Sequence, residues 1–145
     1  MKILKISAII AVSLLFSCSR GPEPIQYGKD ACTHCKMTIM DKRFAAEVVT
    51  SKGKIFKFDA TECMVGFLKE NPKIAENKKS IFLVSNYNKP GWFINARSSF
   101  FLNDSTLRSP MGGNLAAFQS KGSAGAAGKE KDYKIYTWPA LLKAR

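Results

Sequence analysis

Histidine is almost absent from this 145-residue sequence, which contains only His34. Cysteine is also scarce, with four residues in all. Tetrahedral zinc sites usually take four Cys or His ligands. Here Cys32 and Cys35 form one closely spaced pair, but a second pair is missing and Cys63 stands alone. The sequence therefore argues against a conventional structural zinc site.

The N-terminal apolar run, residues 6–16, is too short to span a bilayer comfortably as a permanent helix. Lys2 and Lys5 precede it, as in a secretory signal, and the run ends in Leu15-Phe16-Ser17-Cys18, which resembles a lipobox. We therefore predict a lipoprotein signal peptide over residues 1–17, with Cys18 as the lipidated first residue of the mature chain. The alternative is an ordinary secretory signal in which the cysteine is incidental.

Both alternatives take the mature chain out of the cytoplasm. Residues 18–29 are predicted to form a lipid-anchored tether, because Ser19–Pro24 has the composition of an extended linker. The expected location is the cell envelope, facing the periplasm or the exterior. Ser19 after the lipidated cysteine favours the outer membrane over the inner one.

Acidic residues are outnumbered by basic ones, with 11 Asp and Glu against 23 Lys and Arg, and the formal net charge is +12. Loss of Lys2 and Lys5 with the signal would lower the charge to +10. Such an excess would indicate nucleic acid in a cytoplasmic protein, but export argues against that partner. An anionic lipid leaflet or an acidic face on a partner protein fits better. The alternative is a solvated surface that keeps the protein soluble.

The remaining sequence, residues 30–145, is long enough for one compact domain. We predict an α+β fold of two small similar halves, about 30–90 and 91–145, each built as strand, strand, helix, strand. In the first half the strands are expected at 44–50, 54–58 and 80–85. The helix between them would be capped by Asp59, would place Cys63, Met64, Phe67 and Leu68 on one face, and would end at Asn71-Pro72.

The second half can be assigned in the same order. Its strands are expected at 92–96, 98–102 and 133–137, with a helix opened by Asn114 that carries Leu115 and Phe118 on one face. The Gly and Ala residues of the 121–128 segment weaken a helix there, because each interior Gly costs about 1 kcal/mol relative to Ala. That segment is expected to be a flexible loop.

The segment Cys32-Thr33-His34-Cys35-Lys36-Met37 gathers two thiols, an imidazole and a thioether within six residues. Soft sulfur donors at this density select copper in its reduced state, Cu(I). In an extended chain Cys35 and Met37 would point to the same side, and Cys32 would need a turn to join them. Without Cys18, three thiols remain, so one lacks an intramolecular disulfide partner. The alternative is a Cys32–Cys35 disulfide clamp with Met37 in the core.

The segment Ser109-Pro110-Met111-Gly112-Gly113 is a second candidate site. Its two glycines disfavour a helix and are expected to let the backbone approach a neighbouring group closely. An exposed Met111 could then supply another thioether. The alternative is a methionine buried at the start of a helix.

Together these motifs resemble the NosL family of copper-binding lipoproteins. The Cys-x-x-Cys-x-Met run, Phe58-Asp59 before a helix with Met64, the segment 92–96, and Ser109-Pro110-Met111-Gly112 occur in the order and spacing of that family. The resemblance implies a fold of two strand, strand, helix, strand halves. It also implies one Cu(I) per monomer, delivered towards the copper-sulfide centre of nitrous oxide reductase, with the reductase or its maturation transporter as partner.

By this resemblance, Cys35 and Met37 match the Cys-x-Met element of the family and Met111 matches its Pro-Met-Gly element. These three residues are the primary ligand candidates. Lys36 occupies a position that is often Gly in the family. Cys32 is a further ligand, a resting disulfide partner or a supporting thiol, and His34 is a secondary candidate because adjacent residues of an extended chain point apart. Cys63 is expected to be a small buried residue of the core.

Two classes of function compete. The first is a metal carrier without enzymatic turnover, which delivers copper for nitrous oxide reductase or serves general copper storage or resistance. The second is a thiol-disulfide oxidoreductase that uses Cys32 and Cys35, which requires a low-pKa cysteine at a helix start. The sequence after Cys35 shows no helix cap or helical period, so it favours the carrier.

Overall fold

The computed structural model describes residues 21–145, so the predicted signal peptide and Cys18 lie outside the described residues. The strands are β1 (Ala46–Val49), β2 (Ile55–Phe58), β3 (Ile81–Ser85), β4 (Phe93–Asn95), β5 (Phe100–Asn103), β6 (Leu115–Phe118) and β7 (Lys134–Thr137). The α-helices are α1 (Thr61–Glu70), α2 (Pro72–Ala75), α3 (Lys121–Ala127) and α4 (Trp138–Ala144), and two short 3₁₀ helices cover Ala96–Ser98 and Ser105–Leu107.

The first sheet has the antiparallel strand order β2-β1-β3-β4. The predicted hairpin is confirmed, because β1 pairs with β2 and Ala46 lies opposite Phe58. Gly53 takes a φ of 78° in the turn, and its N–H donates to the carbonyl of Thr50 at 2.8 Å. A residue without a Cβ suits this left-handed position.

Helix α1 follows β2 and packs against β1 and β2. Its predicted apolar face is confirmed, since Cys63, Met64, Phe67 and Leu68 are all buried. The predicted end is confirmed too, because Asn71 is the C-cap and Pro72 starts the single turn of α2. The predicted cap is wrong. Ala60 occupies the N-cap position, so the Asp59 carboxylate is free for another role.

The second sheet has the antiparallel order β6-β5-β7, with α3 between β6 and β7 in the chain. The first sheet has the equivalent order β2-β1-β3, with α1 and α2 before β3. Each unit is therefore strand, strand, helix, strand with the first strand in the middle. The predicted α+β class is confirmed.

The strands predicted at 92–96, 98–102 and 133–137 are confirmed as β4, β5 and β7, but β4 pairs with β3 in the first sheet instead of joining the second half. Two other assignments in the second half are wrong. Residues 115–118 form β6 instead of a helix, because all four side chains are buried and Asn114, at φ 53°, turns the chain into the strand. The Gly and Ala segment forms α3, whose N-cap Ser120 accepts a hydrogen bond from the N–H of Ser123 at 3.1 Å. The Gly128 site lies against the ring of Tyr133 and leaves no room for a Cβ.

Two aromatic contacts of Trp138 connect the two sheets. Trp138 of α4 has its ring centroid 5.6 Å from that of Phe82 in β3 and 5.8 Å from that of Phe101 in β5. All three side chains are buried. A parallel bridge between Asn86 and Ala117 also connects the sheets. The larger of the two buried apolar clusters therefore contains residues of both units.

The segment before the first strand is only partly free of the domain. Residues 21–24 of the predicted tether are exposed, but Ile25 is buried and the N–H of Gly28 donates to the carbonyl of Ile39 at 2.9 Å. The N–H of Glu23 also donates to Oε1 of Glu47 at 3.0 Å, so the chain contacts the domain from Glu23 onward. Within residues 21–145, no helix combines the length and the hydropathy needed to cross a membrane.

Candidate metal centre

The six-residue cysteine segment folds as a tight turn. The N–H of Lys36 donates to the carbonyl of Cys32 at 3.0 Å, and the N–H of Cys32 donates to the carbonyl of Met37 at 2.8 Å. Lys36 takes a φ of 67°, in the left-handed region that favours glycine. The chain from Cys35 to Met37 is therefore not extended, so the condition under which these two side chains would point to the same side is not met. The turn brings Cys32 and Cys35 to one side. The sequence analysis expected that Cys32 would need such a turn to join a site.

The turn is attached to the first sheet at the strand that leads into α1. The N–H of Thr33 donates to the carbonyl of Lys57 in β2 at 2.8 Å. Two residues later the chain leaves β2 at Asp59 and enters α1, which carries Cys63 on its buried face. The corner between β2 and α1 therefore supplies two further side chains to the cysteine turn.

A cluster of four ligand atoms results, which we call the thiol cluster: the sulfurs of Cys32, Cys35 and Cys63 and a carboxylate oxygen of Asp59. All four atoms lie within 4.8 Å of one another. The Cys35 thiol donates to Oδ1 of Asp59 at 3.6 Å. Cys32, Asp59 and Cys63 are each at most 2 % exposed, whereas Cys35 is half-buried. Cys35 is thus the thiol through which the cluster meets solvent.

The thiols of the cluster have different acidities. The pKa of Cys32 is lowered to about 6, chiefly because the Cys63 thiol donates to its sulfur, and backbone N–H groups of the surrounding turn add to the effect. The pKa of Cys63 is raised because Cys32 holds its proton in that contact. Burial raises the pKa of Cys35. The cysteine that loses its proton most readily is therefore the buried Cys32.

All three cysteines of the described residues are free thiols. The alternative of a Cys32–Cys35 disulfide with Met37 in the core does not fit the structure, because Met37 is 54 % exposed. The arrangement also differs from that of a thiol-disulfide oxidoreductase. Such an enzyme needs an accessible low-pKa cysteine at a helix start, whereas here the low-pKa Cys32 is buried in a turn.

Met111 lies on a loop that is fastened to α1. The side chain is 43 % exposed, so the alternative of a methionine buried at a helix start is wrong. The N–H of Gly112 closes the turn on the carbonyl of Ser109 at 2.9 Å. Both the Ser109 hydroxyl and the N–H of Gly113 donate to Oε1 of Glu62, the latter at 3.1 Å. The loop of Met111 is thus held against Glu62 in the first turn of α1.

The two glycines of this loop have separate roles. A Cβ on Gly113 would lie 2.8 Å from Cδ of Glu62, so this glycine allows the close approach predicted for the loop. Gly112 has open space around it, but its φ of 70° favours glycine. Because Glu62 is desolvated by burial, its pKa is raised. Its second oxygen, Oε2, is buried without a hydrogen-bond partner among the described residues.

His34 lies apart from the thiol cluster. Its ring packs on Gly66 of α1, where a Cβ would come within 2.8 Å of Nε2. Its Nδ1 lies 3.7 Å from Oε2 of Glu70. The four-atom cluster does not include the imidazole. Its contacts are therefore with the helix surface rather than with the sulfur atoms.

Sequence reasoning did not assign Asp59 or Cys63 to the site. Cys63 is buried as expected, but its thiol contacts Cys32 instead of serving only as apolar packing. Asp59 was expected as a helix cap and instead faces Cys35. Their spacing of four residues at a helix start was the available signal, since such residues can face the same partner.

Comparison with known proteins supports a family assignment. A family model described as NosL matches residues 24–143. The chain belongs to the NosL family. A solved structure, that of the copper chaperone NosL from Shewanella denitrificans, has a similar fold, with a TM-score of 0.68 and 23 % sequence identity. The match covers 88 % of this chain and 98 % of the other. No curated protein sequence matches this NosL-family chain.

Proposed function

We propose that the protein is a Cu(I)-binding metallochaperone lipoprotein of the cell envelope. It delivers copper for assembly of the copper-sulfide centre of nitrous oxide reductase and carries out no catalysis itself. Membership of the NosL family and the similar fold of a protein described as a copper chaperone support this proposal. The residues that we propose as Cu(I) ligands are Cys35, Met37 and Met111, with Cys32 in a supporting role.

One observation carries the proposal: the accessible thiol of the cluster is Cys35, and the methionine two residues later is exposed. Methionine side chains are usually buried, and Met64 of the same chain is fully buried. Met37 and Met111 instead expose about half of their side chains, at 54 % and 43 %. An accessible thiol together with exposed thioethers suits Cu(I), since soft ligands select it.

Exposure of these ligands also suits release of the metal. A thiolate must lose a proton to bind, whereas a thioether carries neither proton nor charge and binds more weakly. A carrier with one thiolate and two exposed thioethers can exchange ligands with a partner one at a time. A storage site would favour burial of the ion instead.

The basic surface and the anchor define the partners that we propose. The lipid on Cys18 would hold the chain at the membrane, and the excess of Lys and Arg would favour an anionic leaflet or an acidic face on the reductase or its maturation transporter. Export would argue against nucleic acid as a natural partner. Delivery would then occur at the membrane surface.

The experiment that tests the carrier combines binding with function. The reduced full-length protein in detergent competes for Cu(I) with a chromophoric chelator, and cells at limiting copper are assayed for nitrous oxide reduction. We expect Met111→Leu to keep the fold, because Leu matches Met in volume. It should weaken Cu(I) binding about tenfold, which corresponds to about 1.4 kcal/mol, and lower reductase activity in parallel.

Two other outcomes distinguish the alternatives. Full activity with Met111→Leu and none with Cys32→Ser would overturn the ligand assignment in favour of thiol-disulfide chemistry. Tight Cu(I) binding by a protein whose deletion leaves nitrous oxide reduction unchanged at limiting copper would favour general copper storage or resistance.

A further inference from the structure

The first described residues of the chain cross one face of the first sheet. The N–H of Glu23 donates to Oε1 of Glu47 in β1 at 3.0 Å. Next along the chain, the carbonyl of Pro24 accepts from Nζ of Lys57 in β2 at 3.1 Å. Glu47 lies opposite both Lys57 and Leu83 in the strand register, so these three side chains share a face. Helix α1 packs on the other face, and we call the crossed one the outer face.

A groove of about 370 Å³ lies between this N-terminal segment and the outer face. The segment contributes one wall, and the rest is formed mainly by residues of the sheet and its turns: Tyr27, Glu47, Leu83, Gly91 and Phe93. Gly91 and Phe93 flank Trp92 in the chain, so Trp92 lies at the edge of the groove, where β4 begins. The chain therefore enters the domain close to Trp92.

Trp92 is exposed in an unusual way for a tryptophan. The chain has two tryptophans, of which Trp138 is buried whereas Trp92 is 56 % exposed. Nζ of Lys89 lies 4.0 Å from the centroid of the Trp92 ring, which is a cation–π contact. Tryptophan rings and lysines are typical of protein surfaces at the membrane–water interface, where the ring enters the head-group layer and the ammonium reaches the phosphates.

We propose that Trp92 and Lys89 form a membrane-contact site, which places the outer face of the first sheet against a phospholipid surface. This contact is made by the protein itself, in addition to the lipid on Cys18. One ring with neighbouring lysines binds weakly on its own, so the contact orients an anchored chain rather than holding it at the membrane. The inference rests on the envelope location in the proposed function and not on the Cu(I) ligands.

The short distance in sequence between the anchor and the domain supports this orientation. Five residues separate Cys18 from Glu23. An extended chain spans at most about 3.6 Å per residue, so Cys18 lies within about 18 Å of the bond between Glu23 and Glu47. The diameter of a small domain is about 30 Å. A lipid on Cys18 therefore cannot reach round the domain, and the outer face is the side that it would turn towards the bilayer.

The charges on this side suit an anionic leaflet. The carbonyl of Lys42 accepts from the N–H of Gly91 at 3.2 Å, which places a second exposed lysine beside the turn of Lys89. Neither lysine takes part in an ion pair within residues 21–145. The exposed carboxylate of Glu23 lies 4.0 Å from Nζ of Lys57, which offsets its charge. Two ammonium groups are thus available to lipid phosphates.

This orientation would leave the thiol cluster accessible to a partner. The cysteine turn is bonded to β2, which is the edge strand opposite β4 in the order β2-β1-β3-β4. Three strand spacings of about 4.8 Å separate the two edges by about 14 Å. Contact of Trp92 with lipid would therefore not cover Cys35.

Fluorescence of Trp92 tests the contact. The full-length lipidated protein is placed in vesicles of phosphatidylcholine with an equal share of phosphatidylglycerol. The Trp92 signal is the difference between the unaltered protein and Trp92→Phe, in which Trp138 remains, and circular dichroism checks that the variant is folded. We expect this signal to shift to shorter wavelength, to be quenched by brominated acyl chains and to lose its quenching by aqueous acrylamide. A Trp92 signal that acrylamide quenches fully and brominated chains leave unchanged would overturn the proposal.

Variants and lipid composition test the part of Lys89. Lys89→Gln should restore part of the acrylamide quenching in the anionic vesicles, whereas Lys131→Gln, at an exposed lysine of the second half, should not. Vesicles of phosphatidylcholine alone should also shield Trp92 less. Equal behaviour of the two lysine variants, or equal shielding in both kinds of vesicle, would contradict the contact between Lys89 and lipid phosphates.

Two other outcomes assign the surface or the failure elsewhere. A shift that grows with protein concentration in detergent and is absent in vesicles would overturn the proposal in favour of a second copy of the chain. Cu(I) affinity enters none of these measurements. Shielding of Trp92 in a protein without measurable Cu(I) affinity would leave the membrane contact standing and refute the carrier, whereas an unshielded Trp92 in a protein that binds Cu(I) would refute the contact alone.

Discussion

The N–H of Gly113 donates a 3.1 Å hydrogen bond to Oε1 of Glu62, an oxygen that also accepts from the Ser109 hydroxyl. One carboxylate thus holds both ends of the turn that presents Met111. Because Glu62 precedes Cys63 in α1, the same turn of helix carries a cluster thiol and the anchor of the methionine loop. We infer that Glu62 fixes the position of the Met111 loop on α1.

Removal of this anchor should weaken copper binding through Met111. Glu62→Ala leaves the Ser109 hydroxyl and the Gly113 N–H without their acceptor, which should lower the free energy of unfolding by about 1–3 kcal/mol. The freed loop should also lower Cu(I) affinity, measured by chelator competition. Glu62→Gln is the matched control, since its amide oxygen replaces Oε1, and it should bind Cu(I) almost as tightly as the unaltered protein.

A double-mutant cycle checks the route of this effect. If Glu62 acts through Met111, Glu62→Ala combined with Met111→Leu should bind Cu(I) no more weakly than Met111→Leu alone. Strictly additive losses would show that Glu62 affects the metal by another path.

Lys36 occupies a backbone conformation that glycine adopts more easily. A non-glycine residue in the left-handed region costs about 1–2 kcal/mol, and Lys36 has a φ of 67°. Lys36→Gly should therefore raise the free energy of unfolding by about 0.5–1 kcal/mol. This net gain is smaller than the relieved strain, because the variant loses the contact of the Lys36 ammonium with the Thr33 carbonyl and because glycine increases the entropy of the unfolded chain. Lys36→Ala is the control. It removes the ammonium but keeps the strain, so a Gly variant no more stable than the Ala variant would contradict this account.

Local patterns predicted the first half of the fold well. The spacing of Cys63, Met64, Phe67 and Leu68 marks one helix face, and Gly53 marks the turn of the β1–β2 hairpin. The β6 strand was missed because Leu115 and Phe118 are three residues apart, a spacing that suits a helix face. In a run of four apolar residues such a spacing does not separate helix from strand. Pairing with β5 decides the matter.

The candidate site was predicted only where its residues are neighbours in sequence. The Cys32–Met37 segment places its candidate donors within six residues, so composition alone marks it as a candidate site. Asp59 and Cys63 join that turn from 24 residues or more along the chain, through the corner between β2 and α1. In sequence alone, an acidic residue just before a helix is typical of an N-cap, and a cysteine on an apolar helix face is typical of a core residue. Only the tertiary fold assigns them to the cluster.

Asp104 should make stability depend on pH in the acid range. Its carboxylate accepts hydrogen bonds from the N–H groups of Thr106, Lys129 and Glu130 at 2.9, 2.7 and 3.0 Å, and from the Thr106 hydroxyl at 2.6 Å. These bonds hold the pKa of Asp104 well below the ordinary value of 3.8, and the bond from the Thr106 hydroxyl has the largest effect. A lowered pKa in the folded state contributes stability above pH 3.8 that is lost as the pH falls through the folded value.

Asp104→Asn isolates this contribution. At neutral pH the variant should unfold with a free energy about 2 kcal/mol lower, because an amide cannot accept all four bonds. The difference from the unaltered protein should shrink as the pH falls below about 4. Chemical denaturation at a series of pH values measures it. Asp132→Asn, at an exposed aspartate, is the control and should show no such difference. A difference for Asp104→Asn that stays constant with pH would contradict this assignment.

The membrane anchor is predicted to depend on the Cys18 thiol, because diacylglycerol is added to that sulfur. Cys18→Ala should be exported without lipid, and its membrane fraction should fall when cells are lysed and washed in high salt. The salt is essential, since the excess of Lys and Arg over Asp and Glu would attract an anionic leaflet by itself, and salt screens that attraction. Cys32→Ser, which also removes one thiol, should stay in the membrane fraction and serves as the matched control. Full retention of Cys18→Ala in the membrane fraction in high salt would refute the lipid anchor. If the variant leaves the membrane fraction in high salt but is partly retained in low salt, charge and lipid act together at the same surface.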